Sequence, residues 1–238
     1  MSDGQSSGRA TFSSAMEGAR NYNGWIVAAF ARYLGTSVLE VGVGHGGFYE
    51  QLPGVRRYTG LDIDRKIVAR AQARHPELTY VQGDVADPGL PDRLGRRSVD
   101  SALCVNVLEH VPDDRAAVAN LLELVRPGGH VLLFVPAFPA LYNDLDRLAG
   151  HQRRYTRGRL RDLLPPGRAE VRVLEYFNPL GAVGWGLNRF LPHPSLETRR
   201  VLRQVSFFDR YLLPVSRLLN PVTRFGFGQS LVCVLRRL

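Results

Sequence analysis

Lysine is almost absent from this chain. Lys66 is the only one among 31 Lys and Arg residues, so nearly all of the formal net charge of +9 rests on arginine. Cysteine is scarce as well. Cys104 and Cys233 both sit inside apolar runs with no metal-ligand spacing around them, so they read as buried free thiols of a reducing cytoplasm. No apolar run reaches the length of a membrane span. Residues Met1 to Gly8 are polar and Gly/Ser-rich, which argues against a secretory leader; residues 1–10 are expected to be disordered. What is present is ordinary for a globular protein. The 238 residues are 45% hydrophobic and 22% charged, enough for one α/β domain with a substantial core and an insertion. The arginine excess is either compositional bias or attraction to an anionic partner, whether a phosphorylated or carboxylated substrate, a membrane surface or nucleic acid.

The chain is organised around Val38 to Phe48, a short apolar run that breaks into Gly42, Gly44, Gly46 and Gly47. An apolar run of this length predicts a strand buried on both faces, the glycines a tight turn, and Phe48 and Leu52 the start of a helix. Strand, glycine turn and helix together form a nucleotide-binding arrangement. The glycines alone also satisfy a dinucleotide fingerprint. Glu40 separates the two cases: a carboxylate two residues before the first glycine repels a pyrophosphate and attracts a ligand bearing an ammonium and a sulfonium.

With that acid, Glu40-x-Gly42-x-Gly44-x-Gly46 resembles the first motif of the class I S-adenosylmethionine-dependent methyltransferases, of the small-molecule type. Three further segments match the family in order. Asp62-Ile63-Asp64 follows a strand over Tyr58–Leu61, some twenty residues past the glycines, where a carboxylate accepts from both ribose hydroxyls. The resemblance implies that Ile63 packs on the adenine, while Asp64 is expected to cap a helix over Arg65–Arg74. Gly83-Asp84-Val85 follows a strand over Leu78–Gln82. There the family places an acid on the adenine amine and its neighbour on the ring, although a Gly-Asp pair is also a common turn. Asn106 to Pro112 follows a strand over Val99–Val105 and resembles the fourth motif, with Asn106 meeting the methionine end of the cofactor. His110 is expected to order that loop rather than act as a base. Asp113 should cap a helix through Leu124, and a fifth strand should run over His130–Val135.

Before and after this stretch the signals are weaker. Thr11 to Tyr33 predicts a helix. Within it, Tyr22 to Ile26 resembles the segment that the family lays over its cofactor, although Tyr22 and Trp25 would serve equally as core aromatics. Pro136 to Asp146 reads as a loop. Between Arg147 and Arg172 there are eight arginines against two acids, so this face is expected to be strongly positive. Thr156 should cap a short helix ending before Pro165-Pro166. His151 follows the fifth strand at the ligand-binding edge and is the candidate general base, with a structural histidine as the alternative. Strands are expected over Ala169–Phe177 and Gln229–Leu235. Between them lies an insertion over 178–226, helical from about Ser195 to Leu219 with Phe208, Leu212, Val215 and Leu219 on one stripe. It would serve as a substrate lid, a membrane-surface contact, a homodimer seam or a plain packing helix.

The expected fold is α/β: a single doubly wound, mostly parallel seven-stranded sheet over residues 11–238. The resemblance implies the order 3-2-1-4-5-7-6 with the last strand antiparallel. It implies S-adenosyl-L-methionine as cofactor, bound by Tyr22, Glu40, Gly42, Gly44, Gly46, Asp62, Ile63, Asp84, Val85 and Asn106, with no metal. The expected reaction is methyl transfer to the oxygen, nitrogen or carbon of a small molecule, apolar or anionic. A nicotinamide-dependent reductase is disfavoured by Glu40. A nucleic-acid methyltransferase lacks its base-methylating signature here, so no nucleic acid is expected. A non-catalytic scaffold would have no need of Glu40, Asp62 and Asp84.

Overall fold

All five residues of β1 (Ser37–Val41) are buried, as an apolar run covered on both faces requires. In the computed structural model, which describes residues 19–44, 47–191, 194–196 and 198–238, this strand lies inside a sheet of seven. Parallel neighbours flank it, β2 (Arg57–Asp62) on one side and β4 (Val99–Val105) on the other. β3 (Thr79–Gln82) and β5 (Val125–Pro136) extend the two sides, again in parallel. The final strand in sequence, β7 (Ser230–Arg237), lies antiparallel between β5 and β6 (Ala169–Phe177). The order is 3-2-1-4-5-7-6, as the family resemblance implies.

The two faces of β5 show how the sequence makes two cores. Successive side chains of a strand point to opposite faces. Leu132 and Phe134 accordingly join Ile26 and Phe30 of α1 (Arg20–Phe30) on one side. Val131, Leu133 and Val135 join Ala117, Leu121 and Leu124 on the other. Cutting a fully buried side chain such as Phe134 back to Ala costs about 3–5 kcal/mol in comparable cores.

Three short-range caps set helix starts where the sequence places them. Asp64 accepts the Lys66 amide at 2.7 Å and begins α2 (Arg65–Arg74). After the short α3 (Leu90–Leu94), Asp113 accepts the Ala116 amide at 2.9 Å and begins α4 (Asp114–Leu124). The stretch expected as a loop after β5 contains a single-turn helix, α5 (Asp144–Leu148), started by a capping box between Asn143 and Asp146. Thr156 accepts the Arg159 amide at 3.1 Å and begins α6 (Arg157–Asp162).

Three expectations need correction. No long helix follows the glycine turn; a single 3₁₀ turn, Tyr49–Gln51, stands there. Leu52 precedes a proline and is therefore driven to extended backbone, which ends the turn. The first helix begins at Arg20 and tightens into a 3₁₀ turn at Ala31–Tyr33. The earlier part of that expectation, like the disorder expected at 1–10, lies outside the described residues.

The insertion supplies the third correction. It forms α7 (Pro179–Leu187), α8 (Arg199–Phe207), a π-turn over Phe208–Leu212, and α9 (Leu213–Thr223). A π-turn holds one residue more than an α-turn, so the face beyond it is rotated by about 100°. The buried positions are consequently Asp209, Leu213 and Ser216, while Leu212, Val215 and Leu219 of the expected stripe are exposed. Among the described residues, no helix is long and apolar enough to cross a membrane.

Candidate functional site

The carboxyl ends of β1, β2 and β4 open into one large cleft of ≈ 1870 Å³, more than a single drug-sized ligand needs. Its first half is built on the glycine turn. Gly42, Gly44 and Gly47 all have positive φ (77°, 53° and 60°), a backbone that side-chain-bearing residues rarely adopt. A Cβ at Gly47 would also lie 2.9 Å from the Glu40 carboxylate, so the turn and the acid are fitted to each other. Glu40 is buried and accepts the Phe48 amide at 3.0 Å and the Tyr58 hydroxyl at 2.8 Å. Burial pushes its carboxyl up to about 7, against the pull of those donors.

Asp62, at the end of β2, accepts the Gly44 amide at 3.3 Å and the Asp64 amide at 2.9 Å. Its carboxyl is raised, chiefly by burial, with those amides opposing. Ile63 beside it is 66% exposed, a large apolar side chain presented to the cleft. Asp84, Val85 and Asn106 line the same space. Asp84 also accepts the Ala86 amide at 2.8 Å, so its turn role and its place in the cleft coexist. Asn106 takes left-handed backbone, φ 52°, where the chain leaves β4. Tyr22 reaches the cleft but is packed in an aromatic cluster with Trp25, Phe134, Phe177 and Phe208. Gly46 lies outside the described residues.

The second half of the cleft is reached from the loop after β5 and from the insertion. His151 faces it, with Nδ1 held 2.7 Å from Asp146 Oδ1. Asp146 in turn takes the Arg154 guanidinium at 2.9 Å and Trp185 Nε1 at 3.0 Å. Burial works against the Asp146 carboxylate, but His151 and Arg154 outweigh it and hold the group below its usual range. Beneath His151 lies Glu109, with its Oε1 3.8 Å from His151 Nε2. Burial pushes the Glu109 carboxyl up to about 7. The His110 ring meets that of His151 edge-on at 4.9 Å, and burial lowers His110 to about 4. Leu145, Ala149, Trp185, Leu187 and Phe208 make the remaining wall largely apolar.

Ten of the eleven residues that the sequence singles out therefore line one cleft, and the eleventh is Gly46. The sequence does not single out Asp146 or Glu109. Asp146 has no local signal, since it depends on a histidine five residues later and a tryptophan on α7. Glu109 was visible within the fourth motif, next to His110, but only the fold brings it against His151.

The strongly positive face expected from Arg147 to Arg172 is not what the structure holds. Arg147 pairs with Asp144, Arg154 with Asp146, Arg168 with Glu123 and Arg172 with Glu170. Arg153 and Arg159 share Asp114, and Arg157 donates to the carbonyls of Arg224 and Phe225. Seven of the eight are thus engaged by acids or carbonyls. The acids that neutralise them come mostly from outside the window, which a local count cannot see.

A parallel sheet with one inverted strand, opening on an acid-flanked glycine turn and a second acid at the next strand end, defines an α/β domain for an adenosyl-type cofactor. The comparisons agree. Residues 39–133 match the family model described as "Methyltransferase domain", and over that stretch the chain is similar to S-adenosylmethionine-dependent methyltransferases. A Mycolicibacterium smegmatis protein named "Probable S-adenosylmethionine-dependent methyltransferase" is 37% identical over 106 residues, 44% of this chain and 40% of its own length. A ubiquinone biosynthesis O-methyltransferase of Cronobacter sakazakii is 37% identical over 113 residues, 45% of each protein. The chain thus spans less than half the length of these curated relatives. The crystal structure of an S-adenosylmethionine-dependent methyltransferase from Mesorhizobium loti superposes with a TM-score of 0.61 over 90% of this chain and 96% of that one, at 19% identity, which speaks to the fold alone.

The cleft fits the family's cofactor by its own chemistry. Packing against Val107 leaves no room for a side chain at Gly42, where a Cβ would stand 2.3 Å from it, and bare backbone at the turn can be approached closely by a ligand. Two buried carboxylates, Glu40 and Asp62, border it and suit a ligand with cationic and hydroxyl groups.

Proposed function

We propose that the protein transfers a methyl group from S-adenosylmethionine to a proton-bearing oxygen of a largely apolar small molecule. One observation carries this reading: the glycine turn with its two acids and the His151–Asp146 pair open into the same cleft. S-adenosylmethionine supplies an electrophilic methyl group when bound. Asp62 would take the ribose hydroxyls, Glu40 the cationic methionine end by way of the turn it orders, and Ile63, Asp84 and Val85 the adenine. Asn106 closes the methionine side. His151, its Nδ1 fixed by Asp146, stands in the acceptor half of the cleft. Most of the acceleration comes from positioning, for which the rigid sheet edge is suited. Oxygen is favoured as acceptor atom by the O-methyltransferase among the relatives, and apolar character by the wall of Leu145, Ala149, Trp185 and Leu187. The engagement of the neighbouring arginines argues against an acceptor recruited by its negative charge.

Calorimetry with S-adenosylhomocysteine tests the cofactor half. Saturable binding is expected, with none for NADH. Absence of S-adenosylhomocysteine binding, or tight NADH binding, would overturn the proposal.

A further inference from the structure

Glu109 is fully buried, and neither of its carboxyl oxygens has a hydrogen-bond partner. A buried carboxylate in that state is costly, and protonation does not relieve it as the site stands, because His151 Nε2 at 3.8 Å is too far to accept a hydrogen bond. Arg154 and Asp146 act on it by charge, and two imidazoles face it, each with its far nitrogen already occupied. His151 Nδ1 lies 2.7 Å from Asp146 Oδ1, and His110 Nδ1 lies 3.3 Å from the Gly150 carbonyl. A carbonyl oxygen only accepts, so His110 Nδ1 carries the hydrogen and its Nε2 the lone pair. Asp146, itself held by Arg154 and Trp185, imposes the same tautomer on neutral His151. One donor atom from each of Glu109, His110 and His151 lies within 4.8 Å of the other two.

We propose that Glu109, His110 and His151 bind one divalent transition-metal ion on the floor of the acceptor half of the cleft. Two imidazoles and one carboxylate suit Zn²⁺ and leave positions open, whereas Mg²⁺ and Ca²⁺ favour sets of oxygens. The Asp146–His151 pair is then the carboxylate that orients a metal-binding histidine, and Gly150 plays that part for His110. The site's existence does not depend on the methyl-transfer reading, but its use rests on it. The ion would hold the acceptor oxygen and lower that oxygen's affinity for its proton. The proton passes to water, and the O–C bond forms as the S–C bond breaks. In this arrangement His151 is a ligand and not a proton acceptor.

The test uses the full chain stripped with a chelator and titrated with Zn²⁺ alone by competition calorimetry, then with Co²⁺ alone by visible absorption. One ion per chain is expected, with Co²⁺ bands of a nitrogen–oxygen set and no thiolate charge-transfer band. Glu109→Gln and His110→Ala should each weaken Zn²⁺ by roughly 100-fold or more, and the positioning variant Asp146→Asn by about 10–100-fold. Thermal unfolding checks that each variant folds; His110→Ala, which faces the cleft, carries the test if a buried variant does not. No Zn²⁺ binding by the wild-type chain, or full retention by His110→Ala and Glu109→Gln, overturns the proposal. S-adenosylhomocysteine affinity, measured on the same samples, should not change. Its absence would remove the methyl-transfer reading and leave the ion site standing.

Discussion

The carboxylate of Glu40 stands 3.0 Å from the amide nitrogen of Phe48, so the end of β1 and the exit of the glycine loop are tied together by one acid. The same acid borders the cleft, and its carboxyl is pushed up to about 7 by burial. Loop order and ligand charge are therefore coupled at one side chain.

A cationic ligand should drive off a proton here. Near pH 6.5 a sizeable share of Glu40 is protonated in the free protein, and a bound cation lowers its pKa, so binding releases a proton and strengthens as pH rises toward about 7. S-adenosylmethionine titrations in buffers of different ionisation enthalpy should show this release, and Glu40→Gln should abolish it. In the free protein the sign for stability is opposite. The folded state holds more protons than the unfolded one between about pH 4.5 and 7, so Glu40's contribution to stability falls as pH rises across that window.

Asp62→Ala should weaken S-adenosylhomocysteine by about one to two orders of magnitude, the worth of a pair of charge-assisted hydrogen bonds. The change also frees the Gly44 and Asp64 amides, so the apo protein should lose stability in denaturant titrations. An unchanged dissociation constant would remove Asp62 from the ribose.

Whether it takes the acceptor's proton itself or holds the ion that loosens that proton, His151 is needed in the acceptor half, and His151→Ala should lower turnover by about 10²–10⁴-fold while cofactor affinity holds. The measurement is single-turnover methyl transfer beside calorimetry on the same preparation. Activity close to wild type would mean that positioning alone suffices.

Raising ionic strength should leave catalytic efficiency nearly flat. Shortening the Debye length from about 30 Å to about 8 Å weakens steering by free charge, but six of the arginines between 147 and 172 are already ion-paired and Arg157 is held by carbonyls. A steep fall in kcat/KM with salt would restore an anionic acceptor.

Gly181→Ala reverses an ordinary expectation. Ala normally favours a helix interior over Gly by up to about 1 kcal/mol. Here a Cβ would stand 2.1 Å from the Asn178 amide and 2.2 Å from Gln229. Asn178 caps α7, accepts the Ser216 hydroxyl of α9 at 2.8 Å and donates to Gln229 at 2.8 Å. The substitution should therefore destabilise the protein, read as a lower denaturant midpoint, by pushing apart the knot that fastens the insertion to the sheet.

What could be read from the sequence was what neighbours in sequence decide. Asp64, Asp113 and Thr156 cap the helices they precede, and the strand over Val99–Val105 has the expected bounds. The cofactor half of the site was legible for the same reason: each of its acids ends a strand next to a turn. Contacts across the fold were not legible. Asp114 takes two arginines about forty residues away, Asp146 joins a loop to α7, and the π-turn at Phe208 shifts a stripe that helical spacing alone places wrongly.

The position of β7 also governs how the sheet can be made. Among the described residues β6 bonds to β7 and to no other strand, yet β7 follows it only after the whole insertion, from Phe177 to Ser230. At translation rates of about 5–20 residues per second, β6 waits roughly 3–10 s for its only partner. During that interval β5 also has an open edge, so two unpaired strand edges coexist on the nascent chain. The helices of the insertion emerge in that interval, and α9 packs beside β6.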